Sequence, residues 1–125
     1  MIALDSSTLI AYLSGSKRAD VDAVEFALTQ KQAVLPLVVL SELLSDPKLL
    51  PATAKAFEEL PRLPLLKGYW ERVGYLRSEV IRGGRKAPLA DALIAQSCMD
   101  HDVPLITRDA DFQNFRRAGL KLLPV

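Results

Sequence analysis

Residues 1–13 read MIALDSSTLIAYL. Ile2, Ala3 and Leu4 run without a polar interruption, which suits a short strand buried on both faces. Asp5 ends the run, Ser6 or Ser7 offers a side-chain oxygen as a helix cap, and a helix through Leu13 follows. A strand that passes straight into a helix is the opening half of a strand–helix–strand unit, and the alternation continues outward from it. Ala19–Gln30 is amphipathic, with Val21, Val24 and Leu28 on one stripe and Asp20, Asp22 and Glu25 in its first turns, where the helix dipole favours acids. Ala33–Leu35 reads as a second strand before Pro36. Val38–Leu44 reads as a helix, with its Val pair leaving strand open. Pro51–Leu60 reads as a helix with proline at its start, and Leu63–Leu66 as a weak strand broken by Pro64. Tyr69, Val73, Leu76 and Val80 share one helical face, which predicts a helix over Gly68–Ile81 ended by Gly83 and Gly84. Leu89–His101 is a further helix, Val103–Ile106 a strand, Asp109–Arg117 a short helix and Leu120–Leu123 a last strand. The expected fold class is α/β with a mostly parallel sheet.

The length, 125 residues, fits a single domain over 1–125. Half the residues are apolar and a quarter charged, a composition that excludes disorder and collagen. No apolar run approaches the ~20 residues that a bilayer span needs. The opening MIALD carries an acid where a signal peptide carries Lys or Arg, so the expected setting is the bacterial or archaeal cytoplasm. The single Cys98 forms no internal disulfide, and no spacing suggests zinc. A net charge of +1 is no bulk-charge grip on nucleic acid.

Four acids are placed unusually. Asp5 follows the first strand, and Asp109 follows Val103–Ile106 after Thr107 and Arg108, so both stand outside carboxyl ends of strands, where open parallel sheets bind ligands. Asp91 leads a stripe of Ile94, Ala95 and Cys98, and Glu42 lies on the stripe of Val38, Val39 and Leu43. A carboxylate on a buried face is costly unless paired or bound to metal. Each acid has a plain reading as well: a turn or cap for Asp5 and Asp109, a dipole partner for Asp91, an exposed helix face for Glu42. Two carboxylates about 5 Å apart repel by roughly 3 kcal/mol at an effective dielectric near 20. A cluster of four therefore calls for cations or protons. With no His or Cys among them, the acids favour a hard ion with oxygen ligands, Mg²⁺ or Mn²⁺. Setting these four aside leaves sixteen cations against eleven anions, a basic surface of net +5 around an acidic pocket, which suits a phosphodiester substrate.

The segments IALDSSTLIAYL, VVLSELL, PLADALIAQSC and VPLITRDADF, with GLKLL close behind, together resemble the PIN domain, and within it the VapC-type ribonuclease toxins. The resemblance covers nearly the whole chain, except that residues 46–86 carry none of its motifs. It maps the family's acids onto Asp5, Glu42, Asp91 and Asp109, with Asp111 a secondary candidate as metal helper or helix cap. It implies a three-layer α/β/α sandwich, a divalent metal, cleavage of single-stranded RNA, a homodimer and inhibition by a cognate antitoxin. Three other classes compete. A phosphorelay receiver needs an Asp where Lys67 stands, and a haloacid-dehalogenase-type phosphatase needs one where Ser7 stands. A catalytically silent PIN-like module that binds RNA or protein remains the alternative.

Ser6, Ser7, Thr8 and Thr107 could lend hydroxyls to a metal or serve as caps. Arg82, Arg85, Lys86 and Arg108 are candidate RNA-phosphate ligands, against plain readings as helix-end or solvated cations, and Arg116 and Arg117 lie nearby. His101 closes a helix, and Cys98 reads as a small buried apolar residue. Trp70 and Tyr75 read as core or interface rather than base-stacking platforms. A mean hydropathy of +0.15 is high for a small enzyme, and Leu49, Leu50, Trp70 and Ile81 fall off the core stripes, which points to a protein interface.

Overall fold

The computed structural model describes residues 1–124. Ile2–Leu4 (β1) runs between Ala33–Val34 (β2) and Leu105–Ile106 (β3) in a parallel sheet ordered β2-β1-β3. Ile2 pairs with Ala33 and Ala3 with Val34 on one side; Ala3 pairs with Leu105 and Leu4 with Ile106 on the other. Apart from Ile2, every residue of these strands is buried, as expected for parallel strands covered on both faces.

Of the two further strands read from the sequence, Leu63–Leu66 does not form, the bridge at that edge falling on Arg62 just before it, and Leu120–Leu123 shrinks to a single bridge at Leu122. Leu35 bridges Arg62, its N–H donating to the Pro61 carbonyl at 2.8 Å, and Leu105 bridges Leu122 in the same parallel sense. Pro61 and Pro64 lack amide donors, so a longer ladder cannot form on the first edge.

The helices are Ser6–Leu13 (α1), Ala19–Thr29 (α2), Leu37–Leu44 (α3), Pro51–Glu58 (α4), Tyr69–Arg82 (α5) and Leu89–Asp100 (α6), followed by a 3-10 helix over Ala110–Ala118. The first helix is capped by Asp5, whose carboxylate accepts from the Ser6 amide, rather than by Ser6 or Ser7. The strand alternative for the Val38–Val39 region falls to a helix, and the expected helix at Asp109–Arg117 takes the tighter 3-10 form. α1 packs on α2, α5 and α6 pack on each other and on the 3-10 helix, and α3 touches α1, α4 and α6. The result is the α/β sandwich expected from the sequence.

The Tyr69 hydroxyl donates to the Leu93 carbonyl at 2.6 Å, and Arg72 grips Asp100 through Nε at 2.9 Å while Gln96 donates to the same carboxylate at 2.8 Å. These bonds hold α6, and the acid in its first turn, at a set angle to α5. Val73, Leu76 and Val80 are buried on the predicted stripe, whereas Trp70 and Tyr75 are 64% and 77% exposed and belong to no core. Among the described residues no helix is long and apolar enough to cross a membrane.

Candidate metal centre

β1 and β3 are parallel neighbours, so the chain leaves both at the same edge of the sheet. Asp5 follows β1 directly, and Thr107, Arg108 and Asp109 follow β3. Asp5 caps α1, Asp91 stands in the first turn of α6, and Asp109 caps the 3-10 helix, which carries Asp111 in its own first turn. Helix N-termini bring unpaired amides and a positive dipole end, which ease the gathering of several carboxylates.

Asp91, Asp109 and Asp111 each place a carboxylate oxygen within 4.8 Å of the others. Burial pushes the Asp91 carboxyl up to about 6, helped by the charges of Asp109, Asp5, Asp111 and Glu42. The other three predicted acids, and Asp111 with them, thus all act on Asp91. Asp111 lies in the tightest group, although the sequence reading ranks it as secondary. Its amide donates to Asp109 Oδ1 at 2.9 Å, so the turn that caps the 3-10 helix also brings the two side chains together.

Asp5 is only 4% exposed, and its carboxylate is fully engaged. Oδ1 accepts from the Ser6 amide at 2.8 Å; Oδ2 accepts from Ser7 Oγ at 2.9 Å and from Thr107 Oγ1 at 2.7 Å. Thr107 Oγ1 in turn accepts from the Asp109 amide at 3.0 Å, so its hydroxyl bridges two of the acids. Glu42 departs from the sequence reading, for it is exposed while Val39 and Leu43 of the same helix are buried. An eight-residue helix buries a narrow stripe, and Glu42 falls on its flank. It still faces the cluster: Ser6 Oγ donates to it at 3.4 Å, and partial burial together with the Asp5 charge raises its affinity for a proton.

One oxygen decides whether these residues fit a cation. Asp91 Oδ2 is buried and has no hydrogen-bond partner among the described residues. A buried carboxylate oxygen without a donor is costly, and a cation held jointly with Asp109 and Asp111 removes that cost. The donors are all carboxylate oxygens, which matches Mg²⁺ or Mn²⁺ rather than a softer metal.

The model for the PIN domain matches residues 2–118. The chain belongs to the PIN domain family. No curated protein matches the sequence. By structure this PIN domain is similar to FitAB bound to an IR36 DNA fragment, with a TM-score of 0.77 at 20% identity over 98% of this chain and 94% of that one. It is similar to VapBC2 from Rickettsia felis bound to a DNA fragment from their promoter, with a TM-score of 0.72 at 19% identity over 98% of each chain. It is also similar to VapBC-5 from Mycobacterium tuberculosis, a member of the VapBC family of toxin–antitoxin systems, with a TM-score of 0.72 at 20% identity over 99% of this chain and 98% of that one. At these identities the likeness is one of fold.

The predicted phosphate ligands separate in this PIN domain. Arg85 and Lys86 are exposed on the loop that leads into α6 and so toward Asp91. The Lys86 carbonyl accepts from Asn114 Nδ2 at 3.1 Å, which ties that loop to the 3-10 helix, and Arg85 shares a small cleft with Arg117. Arg82 sits at the end of α5, donating to Ser78 Oγ at 3.3 Å. The Arg108 side chain is instead paired with Asp20. His101 caps the end of α6 and contacts the Pro64 carbonyl through Nε2 at 2.7 Å. Burial pushes the Cys98 thiol up to about 12, in keeping with an inert apolar role. Ser7, read from the sequence as a metal-shell hydroxyl or a cap, bridges the Arg108 amide and Asp5 Oδ2, and Asp20 joins the surroundings of the site without being marked by the sequence reading. A signal for Asp20 was present, since the stripe of Val24 and Ala27 carries it into the core as surely as Asp91 is carried by its own.

Proposed function

We propose that the chain acts as one PIN domain and is a Mg²⁺- or Mn²⁺-dependent endoribonuclease that cleaves single-stranded RNA. The single observation that carries the reading is the orphaned, buried Oδ2 of Asp91 inside an all-carboxylate cluster. Asp91, Asp109 and Asp111 would hold the cation, with Asp5 beside them oriented by Ser7 and Thr107. A bound divalent ion supplies Lewis acidity to the attacking water and charge compensation to the phosphate. Glu42, at the exposed rim and with raised proton affinity, orients the water and takes its proton. Arg85 and Lys86 offer exposed cations to the RNA backbone on the approach to Asp91, with Arg82 behind them.

By likeness to the FitAB and VapBC structures, the domain is proposed to be the toxin of a type II toxin–antitoxin pair in the cytoplasm, bound by a cognate antitoxin. The exposed side chains of Leu50, Trp70 and Ile81 are surface for a homodimer or for that partner.

Purified protein with Mn²⁺ is expected to cut single-stranded RNA and to leave duplex RNA and single-stranded DNA of the same sequence intact. Gel analysis of end-labelled strands reads the result. Equal cutting of all three overturns the RNA specificity; binding without any cutting favours the silent module.

A further inference from the structure

We propose that Asp20 and Arg108 form a latch that sets the position of the Thr107–Asp109 segment and, through it, the metal affinity of the acidic cluster. The inference rests on the metal-dependent reading above. Asp20 lies in the first turn of α2 and is only 6% exposed. Its Oδ1 accepts from Arg108 Nη2 at 3.1 Å, and its Oδ2 accepts from Arg108 Nε. Arg108 Nη2 also donates to Ser16 Oγ at 2.9 Å, in the turn between α1 and α2. The Arg108 contact holds the Asp20 carboxyl below the usual carboxylate range, in line with a tight charged pair.

The backbone of the same arginine faces the site. The Arg108 amide donates to Ser7 Oγ at 3.1 Å, and Ser7 Oγ donates onward to Asp5 Oδ2 at 2.9 Å. Thr107 and Asp109 flank Arg108 and carry the hydroxyl bridge between Asp5 and the Asp109 amide. One residue thus has its side chain anchored on α2 and its main chain anchored on the acid cluster.

The anchor answers a local weakness. β3 has only two residues, so little ladder holds the chain that leaves it, and Asp109 is exposed. A buried ion pair is a poor source of net stability, because desolvation offsets most of the attraction. A two-pronged Arg–carboxylate contact does fix direction, since both partners are planar. Positioning is therefore what this pair can supply. Asp20 and Arg108 are positioning residues: neither belongs to the carboxylate group of Asp91, Asp109 and Asp111, and each acts through Ser7, Thr107 and Asp109.

The test measures Mn²⁺ binding by titration calorimetry on the folded protein, with the kinetics of RNA cleavage beside it. Asp20→Ala is expected to weaken Mn²⁺ binding about tenfold, the lower end of what outer partners of metal ligands contribute. It should lower kcat while leaving KM for RNA near the wild-type value. Ser16→Ala, a mild change outside the core, removes the charge-assisted hydrogen bond from the Arg108 guanidinium and is expected to weaken Mn²⁺ binding about threefold, part of what such a bond contributes, so the test stands even if Asp20→Ala fails to fold. Asp22→Asn, on an exposed position of the same helix, should match wild type in both readouts. A lower melting temperature with wild-type Mn²⁺ affinity in Asp20→Ala, or wild-type affinity in Ser16→Ala, overturns the latch alone. Wild-type protein that binds no Mn²⁺ overturns the metal-dependent reading and the latch together.

Discussion

Asp91→Asn is expected to abolish RNA cleavage and, in the metal-free protein, to raise stability near neutral pH. The loss should be about 10³-fold or more, beyond the ~10–100-fold that removal of an outer partner costs. Asparagine keeps the shape but removes the negative charge that a cation requires at the buried Oδ2. The stability gain follows from the raised proton affinity of Asp91, whose carboxyl is pushed up to about 6 from the ordinary 3.8 by burial and by four neighbouring acids. A proton on Asp91 therefore favours the folded state. Its contribution is fully present below about pH 4 and is lost as pH rises through about 6. Above that, the folded protein carries the repulsion in full. The shift corresponds to no more than about 3 kcal/mol, and solvent screening of this partly buried group reduces it to roughly 1–2 kcal/mol. Denaturant midpoints of the two proteins in chelator should coincide near pH 4 and separate by pH 7, with the variant more stable. A variant that is less stable at pH 7, with activity lost by unfolding, would make Asp91 a structural residue.

Phe115→Ala is expected to be the most damaging core substitution tied to the site, costing about 3–5 kcal/mol. Phe112 and Phe115 are among the largest fully buried side chains, with ring centroids 6.3 Å apart. Both come from the 3-10 helix that carries Asp111 and is capped by Asp109. A 3-10 run of nine residues has poorer hydrogen-bond geometry than an α-helix, so its place depends on these two rings more than on its own backbone. Native domains have only ~5–15 kcal/mol in total, so the variant should approach the unfolding threshold. Urea titration followed by circular dichroism measures the loss. A cost under about 1 kcal/mol would mean that the segment is held by something other than its aromatic anchors.

Much of the site was legible in sequence because its acids are defined by where strands end. Asp5 and Asp109 follow uninterrupted apolar runs, and a parallel sheet brings such positions to one edge whatever lies between them. Asp91 was legible for a second reason: the stripe behind it, Ile94, Ala95 and Cys98, is fully buried, so the acid at its head is drawn partway into the same face. Glu42 shows the limit of the stripe argument, because a helix face has a flank and one turn of periodicity does not say which residue lies on it. Asp111 gained its place from a capping turn whose shape depends on tertiary packing of the 3-10 helix. Asp20 was hidden for a different reason, since its partner stands 88 positions away and no local pattern joins them. At one sheet edge the apolar run Leu63–Leu66 forms no strand, because prolines at 61 and 64 remove donors that a strand needs, and the bridge falls on Arg62 instead; at the other edge only Leu122 of Leu120–Leu123 bridges.

Dependence of RNA cleavage on a divalent ion at the carboxylate cluster is read by following one preparation of wild-type protein on single-stranded RNA through three conditions: Mn²⁺ present, EDTA in excess, and Mn²⁺ restored. Cleavage, none, and cleavage again are expected, with Asp91→Asn inactive in all three. Cleavage that persists at an undiminished rate after thorough chelation would contradict it.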